Sequence, residues 1–174
     1  ADTTGCHGLA ALAGRLACAT EDGIDWYELR RGGTPTRQPV PHVLQLEPLG
    51  DGTSLAFTTF DLRPVDTAGP RAEPTFGVLD AGGVRWQRPV PTDGDRPDLV
   101  RLGVEGDVVV LLRSEGWNLW ASTATTTAGD PVSMPDKAAP PVRIAGTERL
   151  AYATVTPATT YLTDLEGREV ARAG

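Results

Sequence analysis

The chain has 174 residues, 40% of them hydrophobic and 22% charged, which is the make-up of a folded globular protein. A formal net charge of −7 argues against a phosphate-tracking surface, because nucleic-acid binders carry a basic patch or stripe, and nucleic acid is set aside as a partner. No apolar run approaches the roughly 18 residues that would span a membrane.

The first residues, Ala1-Asp2-Thr3-Thr4, carry no initiator Met and no signal peptide, which fits a processed secreted protein or a trimmed chain. Cys6 and Cys18 follow, the only cysteines. No C-x-x-C pair is present, and two cysteines with two distant histidines make a poor zinc count. A disulfide closing this short loop, in an oxidising compartment, is the expected state; two buried thiols are the alternative. The stretch HGLAALAGRLA (7 to 17) is rich in Ala and Leu, but Gly8 and Gly14 interrupt it, and Gly14 sits where a hairpin turn would. A strand, RLACATE (15 to 21), is expected after it.

From there on, short β-branched and aromatic runs alternate with Gly, Pro and Asp, and helical periodicity is absent, so the chain reads as all-β. The runs recur. A first strand is expected at GLAAL (8 to 12), VLQLEPL (43 to 49), LVRLGV (99 to 104) and VRIAG (142 to 146). The strongest strands come next: RLACATE, SLAFTTF (54 to 60), DVVVLLR (107 to 113) and RLAYATV (149 to 155). Third strands end in Gly turns at DWYELRRGG (25 to 33), TFGVLDAGG (75 to 83), LWASTATTTAG (119 to 129) and TYLTDLEG (160 to 167). Short outer strands close each unit: TRQPVP (36 to 41), RWQRPVP (85 to 91), PVSMP (131 to 135) and REVARA (168 to 173). The expectation is one domain, 1–174, of four four-stranded antiparallel repeats at about 5–41, 42–91, 97–135 and 141–174. The anchors Ala17, Ala56, Val109 and Ala151 lie 39, 53 and 42 residues apart, near the roughly 40 to 50 of a propeller blade. An insertion rich in Pro, Asp and Gly (60 to 74) lengthens the second repeat. Proline cannot donate to a ladder, so each Pro-Val-Pro is placed at an unpaired outer edge.

This strand rhythm, with turns such as Gly50-Asp51-Gly52 and Gly82-Gly83, resembles the β-propeller superfamily, including TolB-like and YncE-like bacterial propellers. The Gly-His and Trp-Asp pairing of WD40 blades, the kelch double glycine and the Asp-box are missing. A β-sandwich is the alternative fold. The resemblance implies first strands lining a channel, with the residues ahead of them rimming one mouth. Those residues include His7, His42 and Asp98. Together they would suit a divalent metal, or a histidine general base in a lyase or hydrolase. The bland alternative is two loop histidines and a turn aspartate in register by chance; no cofactor is otherwise expected.

Trp26, Tyr27, Trp117 and Trp120 form the second candidate set, for stacking on a sugar or anchoring a protein, against the alternative of packing between sheets. Acidic turns at Glu21-Asp22 and Asp93/Asp95 read as solvated, with calcium at Asp93-Gly94-Asp95 the one cation reading. No serine lies in a G-x-S-x-G elbow. The leading expectation is a secreted or extracytoplasmic bacterial module, rather than an enzyme, that recognises a protein, glycan or small ligand through loops on one face. The alternatives are the His7/His42/Asp98 enzyme and a structural repeat that forms homo-oligomers or is completed by another chain.

Overall fold

The structure is a computed structural model that describes residues 5–30, 33–61, 72–91, 101–115, 118–126 and 131–174. Among them there are strands and no helix, so no helix is long and apolar enough to cross a membrane. The chain divides into two compact units, Ala1–Thr92 and Asp93–Gly174.

The first unit holds two four-stranded sheets. One runs in the order β1 (Gly8–Leu12), β2 (Arg15–Thr20), β3 (Gly23–Glu28), β4 (Thr36–Gln38); the other runs β5 (Val43–Pro48), β6 (Leu55–Thr59), β7 (Thr75–Asp80), β8 (Gly83–Pro89). Every strand pairs antiparallel with its neighbour in the chain. This meander, repeated along the sequence, is β-propeller-like and leaves no crossover of the sandwich kind. The Ala/Leu stretch is the β1–β2 hairpin, closed at Leu12↔Arg15 around Ala13-Gly14, with Gly14 at φ +78°.

Side chains alternate across a strand, and directly paired residues point the same way, so Ala10, Ala17, Ala19, Ile24 and Trp26 share one face of the first sheet. That face packs on Val43, Leu46, Leu55, Phe57 and Leu79 of the second. Small alanines on β1 and β2 let β5 come close, and the larger side chains opposite fill the space. Each fully buried Leu, Val or Phe contributes about 1.5–3 kcal/mol.

Both Pro-Val-Pro copies do more than end an edge. Val40 and Val90 are buried, at 4% and 6% exposure, and Val40 belongs to the core between the sheets. Their amides are bonded, Val40 N–H to the Gln38 carbonyl (3.0 Å) and Val90 N–H to the Pro74 carbonyl (2.9 Å). Flanking prolines cannot donate, so each phrase presents one amide and one apolar side chain, and both turn inward.

The second unit contains β9 (Arg101–Glu105), β10 (Val108–Glu115), β11 (Asn118–Thr126), β12 (Val132–Ala138), β13 (Val142–Arg143), β14 (Arg149–Val155), β15 (Ala158–Asp164) and β16 (Glu169–Ala173). Here the third and fourth repeats are joined. β12 reaches β14 through Ala138↔Thr154, reinforced by a 2.8 Å bond from Ala139 N–H to the Ala153 carbonyl, so a continuous sheet runs β9-β10-β11-β12-β14-β15-β16 with β13 beside β14. Lys137, the residue before this joint, takes a left-handed φ of +54°. The core is Val108, Val110, Ala121, Ala124, Ala138 and Leu150, with Leu112 and Tyr152 packed against it.

The hairpin register moves one expected equivalence. β1 and β2 pair Leu12↔Arg15 and Ala10↔Ala17 across a two-residue turn; β9 and β10 pair Glu105↔Val108 and Gly103↔Val110 across Gly106-Asp107. The counterpart of Ala17 is therefore Val110, not Val109. One residue of offset places Val109 on the opposite face.

Candidate functional site

β1 and β5 are neighbours in the first unit: a Cβ on Gly8 would lie 3.7 Å from the Leu44 carbonyl oxygen. The residues ahead of these strands, His7 and His42, come out at the same end, with His7 Nε2 2.6 Å from the carbonyl of Val43, the residue after His42. Three tethers hold that end. A disulfide joins Cys6 to Cys18, with Cα atoms 5.6 Å apart, and fixes the chain just before β1 to the middle of β2. His7 N–H continues the ladder to the Ala19 carbonyl (3.0 Å), and its Nε2–H donates to the Val43 carbonyl at 2.6 Å, which leaves Nδ1 as the acceptor. His42 stands at φ +60°, with its N–H on the Glu21 carbonyl (3.4 Å) and its own carbonyl accepting from Phe60 N–H (2.9 Å). A non-glycine residue in the left-handed region stores strain of about 1–3 kcal/mol that its surroundings must hold in place.

The Glu21-Asp22 turn between β2 and β3 closes the same end. Gly23 is obligatory beside it, because any Cβ there would run into the Gln38 carbonyl. Arg37, directly opposite Asp25, clamps that carboxylate through Nε–Oδ1 (2.7 Å) and Nη2–Oδ2 (2.8 Å), and its Nη1 lies 3.7 Å from Asp22. The Arg37 guanidinium holds the Asp25 carboxyl below its ordinary range, against an opposing push from burial, and Arg37 is correspondingly raised. Asp22 is exposed and Arg37 half exposed, so both signs of charge reach solvent at this turn.

Trp26 is 6% exposed, sits in the core and donates its indole N–H to Gln38 Oε1 (2.9 Å). Tyr27, next along β3, points to the other face and is half-buried. Trp120 lies on β11 opposite Arg113, and its Nε1 is buried without a partner among the described residues. Asp98, Trp117 and the Asp93-Gly94-Asp95 turn fall outside the described residues, as does most of the 60–74 insertion. Among the described residues no group of three His, Cys, Asp or Glu side chains is placed to hold a metal ion.

Several arginine–carboxylate pairs were not anticipated. Asp80 accepts Gly82 N–H (2.7 Å) and Arg85 Nε–H (2.8 Å); Asp164 accepts Arg168 N–H (2.8 Å) and Nε–H (2.6 Å). An Asp ending the third strand, then a Gly, then an Arg within two residues of that Gly would have revealed both. In the second unit Arg143 bridges Asp107 and Glu148 (2.9 Å to the latter) beside an open cavity of about 440 Å³.

No protein-family model and no curated protein matches the chain. Among solved structures it is similar to the crystal structure of the eukaryotic initiation factor, at 13% identity and a TM-score of 0.62, over 92% of this chain and 40% of that one. Hydrazine synthase of Kuenenia stuttgartiensis follows at 12% identity and TM-score 0.46, over 88% and 50% of the two chains. TolB from Acinetobacter baumannii follows at 15% and 0.38, over 89% and 38%. The chain thus spans half or less of the length of these proteins. At such identities the first of them shows a shared all-β fold and nothing of function.

Proposed function

We propose that the chain is an extracytoplasmic binding module, a relative of the TolB-like and YncE-like propellers, that recognises a protein, glycan or small ligand through the loop end carrying His7, Asp22, Arg37 and His42. The observation that carries this reading is His42, a non-glycine residue held left-handed between two backbone hydrogen bonds beside a second histidine. Loops on a rigid sheet scaffold are where binding residues concentrate, and this end offers imidazole, carboxylate and guanidinium together. The Cys6–Cys18 disulfide supports an oxidising location.

The test screens a glycan panel and a peptide library against the wild-type chain, His42→Gly and Arg37→Gln. His42→Gly removes the ring while suiting the φ. Ligands that bind the wild type are expected to lose at least about tenfold in affinity, or about 1.4 kcal/mol, with either variant. Ligands that bind all three equally would place recognition elsewhere and refute the reading.

One observation favours the lyase or hydrolase alternative. The Val43 carbonyl takes the Nε2–H of His7, so in the neutral ring Nδ1 is the acceptor nitrogen that a general base needs. It requires Asp98 as third member. Calorimetry with zinc on the wild type and on a His7→Ala/His42→Ala chain tests the metal form of that reading; equal heats would end it.

A further inference from the structure

The sequence holds three tyrosines, Tyr27, Tyr152 and Tyr161, and the last repeat brings the second two together. β14 and β15 pair in unbroken register from Arg149↔Asp164 to Val155↔Ala158, and Tyr152 stands directly opposite Tyr161. Such a pair holds its Cβ atoms about 4.5–5.5 Å apart on one face of the sheet. The two rings stack there, with centroids 5.2 Å apart and planes inclined by 16°. The turn that joins the strands is pinned by Thr154, whose Oγ1–H donates to the Pro157 carbonyl at 2.6 Å. Tyr152 packs against the core of the second unit, and both rings are half-buried.

Each ring covers one face of the other, which removes a platform that a sugar would stack on. Two phenols held this close can instead react with each other. Burial holds the Tyr152 phenol above its ordinary range, with Tyr161 and the Glu169 carboxylate adding to the shift. At neutral pH it is therefore an uncharged O–H, which must release its proton as it gives up an electron.

We propose that Tyr152 and Tyr161 are an oxidative cross-linking site, at which a one-electron oxidant of the haem-peroxidase class joins their rings into dityrosine. Each hydroxyl loses one electron and one proton to the oxidant. The two phenoxyl radicals combine in a bond between ring carbons ortho to oxygen, and the hydrogens on those carbons move to the oxygens, which restores both phenols. Hydrogen peroxide, the terminal acceptor, takes up the two electrons and two protons and leaves as two waters. The new bond sets the rings edge to edge, so each turns about χ2, a torsion that is broad for tyrosine. Because the ladder already holds the rings together, the coupling is a unimolecular step that outruns encounters between chains. Its product ties β14 to β15 independently of their hydrogen bonds. The proposal does not draw on the histidine end.

The test treats the whole chain with a haem peroxidase and limiting hydrogen peroxide, beside Tyr152→Phe, Tyr161→Phe and Tyr27→Phe. Phenylalanine keeps the ring and lacks the hydroxyl, and far-UV circular dichroism checks that the sheets are retained. No Lys or Arg lies between Arg149 and Arg168, so trypsin releases both tyrosines in one peptide, 150–168. The wild type and Tyr27→Phe are expected to gain the blue fluorescence of dityrosine at the mass of one chain, with peptide 150–168 lighter by two hydrogens and a yield per chain unchanged by dilution. Tyr152→Phe and Tyr161→Phe are expected to lose both signals. A wild-type peptide that keeps its mass while peroxide is consumed, a product that survives in either of those two variants, or a yield that falls on dilution would each overturn the proposal.

Discussion

Arg37 places two of its nitrogens on the two carboxylate oxygens of Asp25, at 2.7 and 2.8 Å, across directly paired positions of β3 and β4. Asp25 is 7% exposed, whereas the Arg37 side chain is half exposed, so the pair is worth less than a fully buried one and more than a surface one. Asp25→Asn is expected to cost about 2 kcal/mol at neutral pH. The sign with pH follows from the lowered Asp25 carboxyl. Its contribution is complete above the unfolded carboxylate value of about 4, and it is lost as pH falls through the lower folded value. Urea midpoints of wild type and Asp25→Asn should differ steadily near neutrality and converge in acid; parallel curves down to the lowest pH would show that the pair contributes nothing.

Gly77 faces Phe57 and the Trp86 carbonyl, and any Cβ there overlaps both, one of them backbone that cannot swing away. Gly77→Ala is expected to destabilise the first unit by about 2–4 kcal/mol, read as a drop in thermal midpoint. Gly103→Ala meets the flexible Leu112 side chain at 3.3 Å and the Val110 carbonyl at an ordinary 3.8 Å, and serves as the mild comparison.

Val40→Ala and Val90→Ala each remove two methyl groups from buried sites and should cost about 1–2.5 kcal/mol by chemical denaturation. Pro41→Ala, at an exposed position, should cost much less. If the proline changes proved worse than the valine changes, the phrase would be an edge device after all.

Closing a loop of twelve residues, the Cys6–Cys18 bond restricts the unfolded chain. Cys6→Ala/Cys18→Ala is expected to lower stability by about 3 kcal/mol, as dithiothreitol should in the wild type. Equal midpoints for the oxidised and reduced wild type would contradict this.

The strand rhythm, the β1–β2 hairpin and the cysteine pair were all legible in the sequence, because alternation, Gly14 and spacing are local signals. The one-residue offset of β10 was not, since Val108, Val109 and Val110 are chemically alike and only pairing with β9 decides which of them face the core. The echo of TRQPVP in RWQRPVP was visible, but its reversed Arg and Gln had no evident cause. Structure supplies it: Arg37 faces Asp25, while Gln87, in the matching place, faces Gly77 and donates instead to Thr75 Oγ1 (2.6 Å). Of the candidate site, the register of His7 with His42 could be read directly. The Arg37 clamp and the burial of Trp26 could not, because each depends on what lies across a neighbouring strand.

Lys137 is the only lysine in the chain, and it stands immediately before Ala138, the residue that joins the third repeat to the fourth. Its ε-amine is consequently the sole side-chain target for an amine-directed reagent. A dye attached there sits beside the point where the strands of the two repeats pair, Ala138↔Thr154 with the adjacent Ala139–Ala153 hydrogen bond, so its fluorescence would report a parting of the two halves of that sheet.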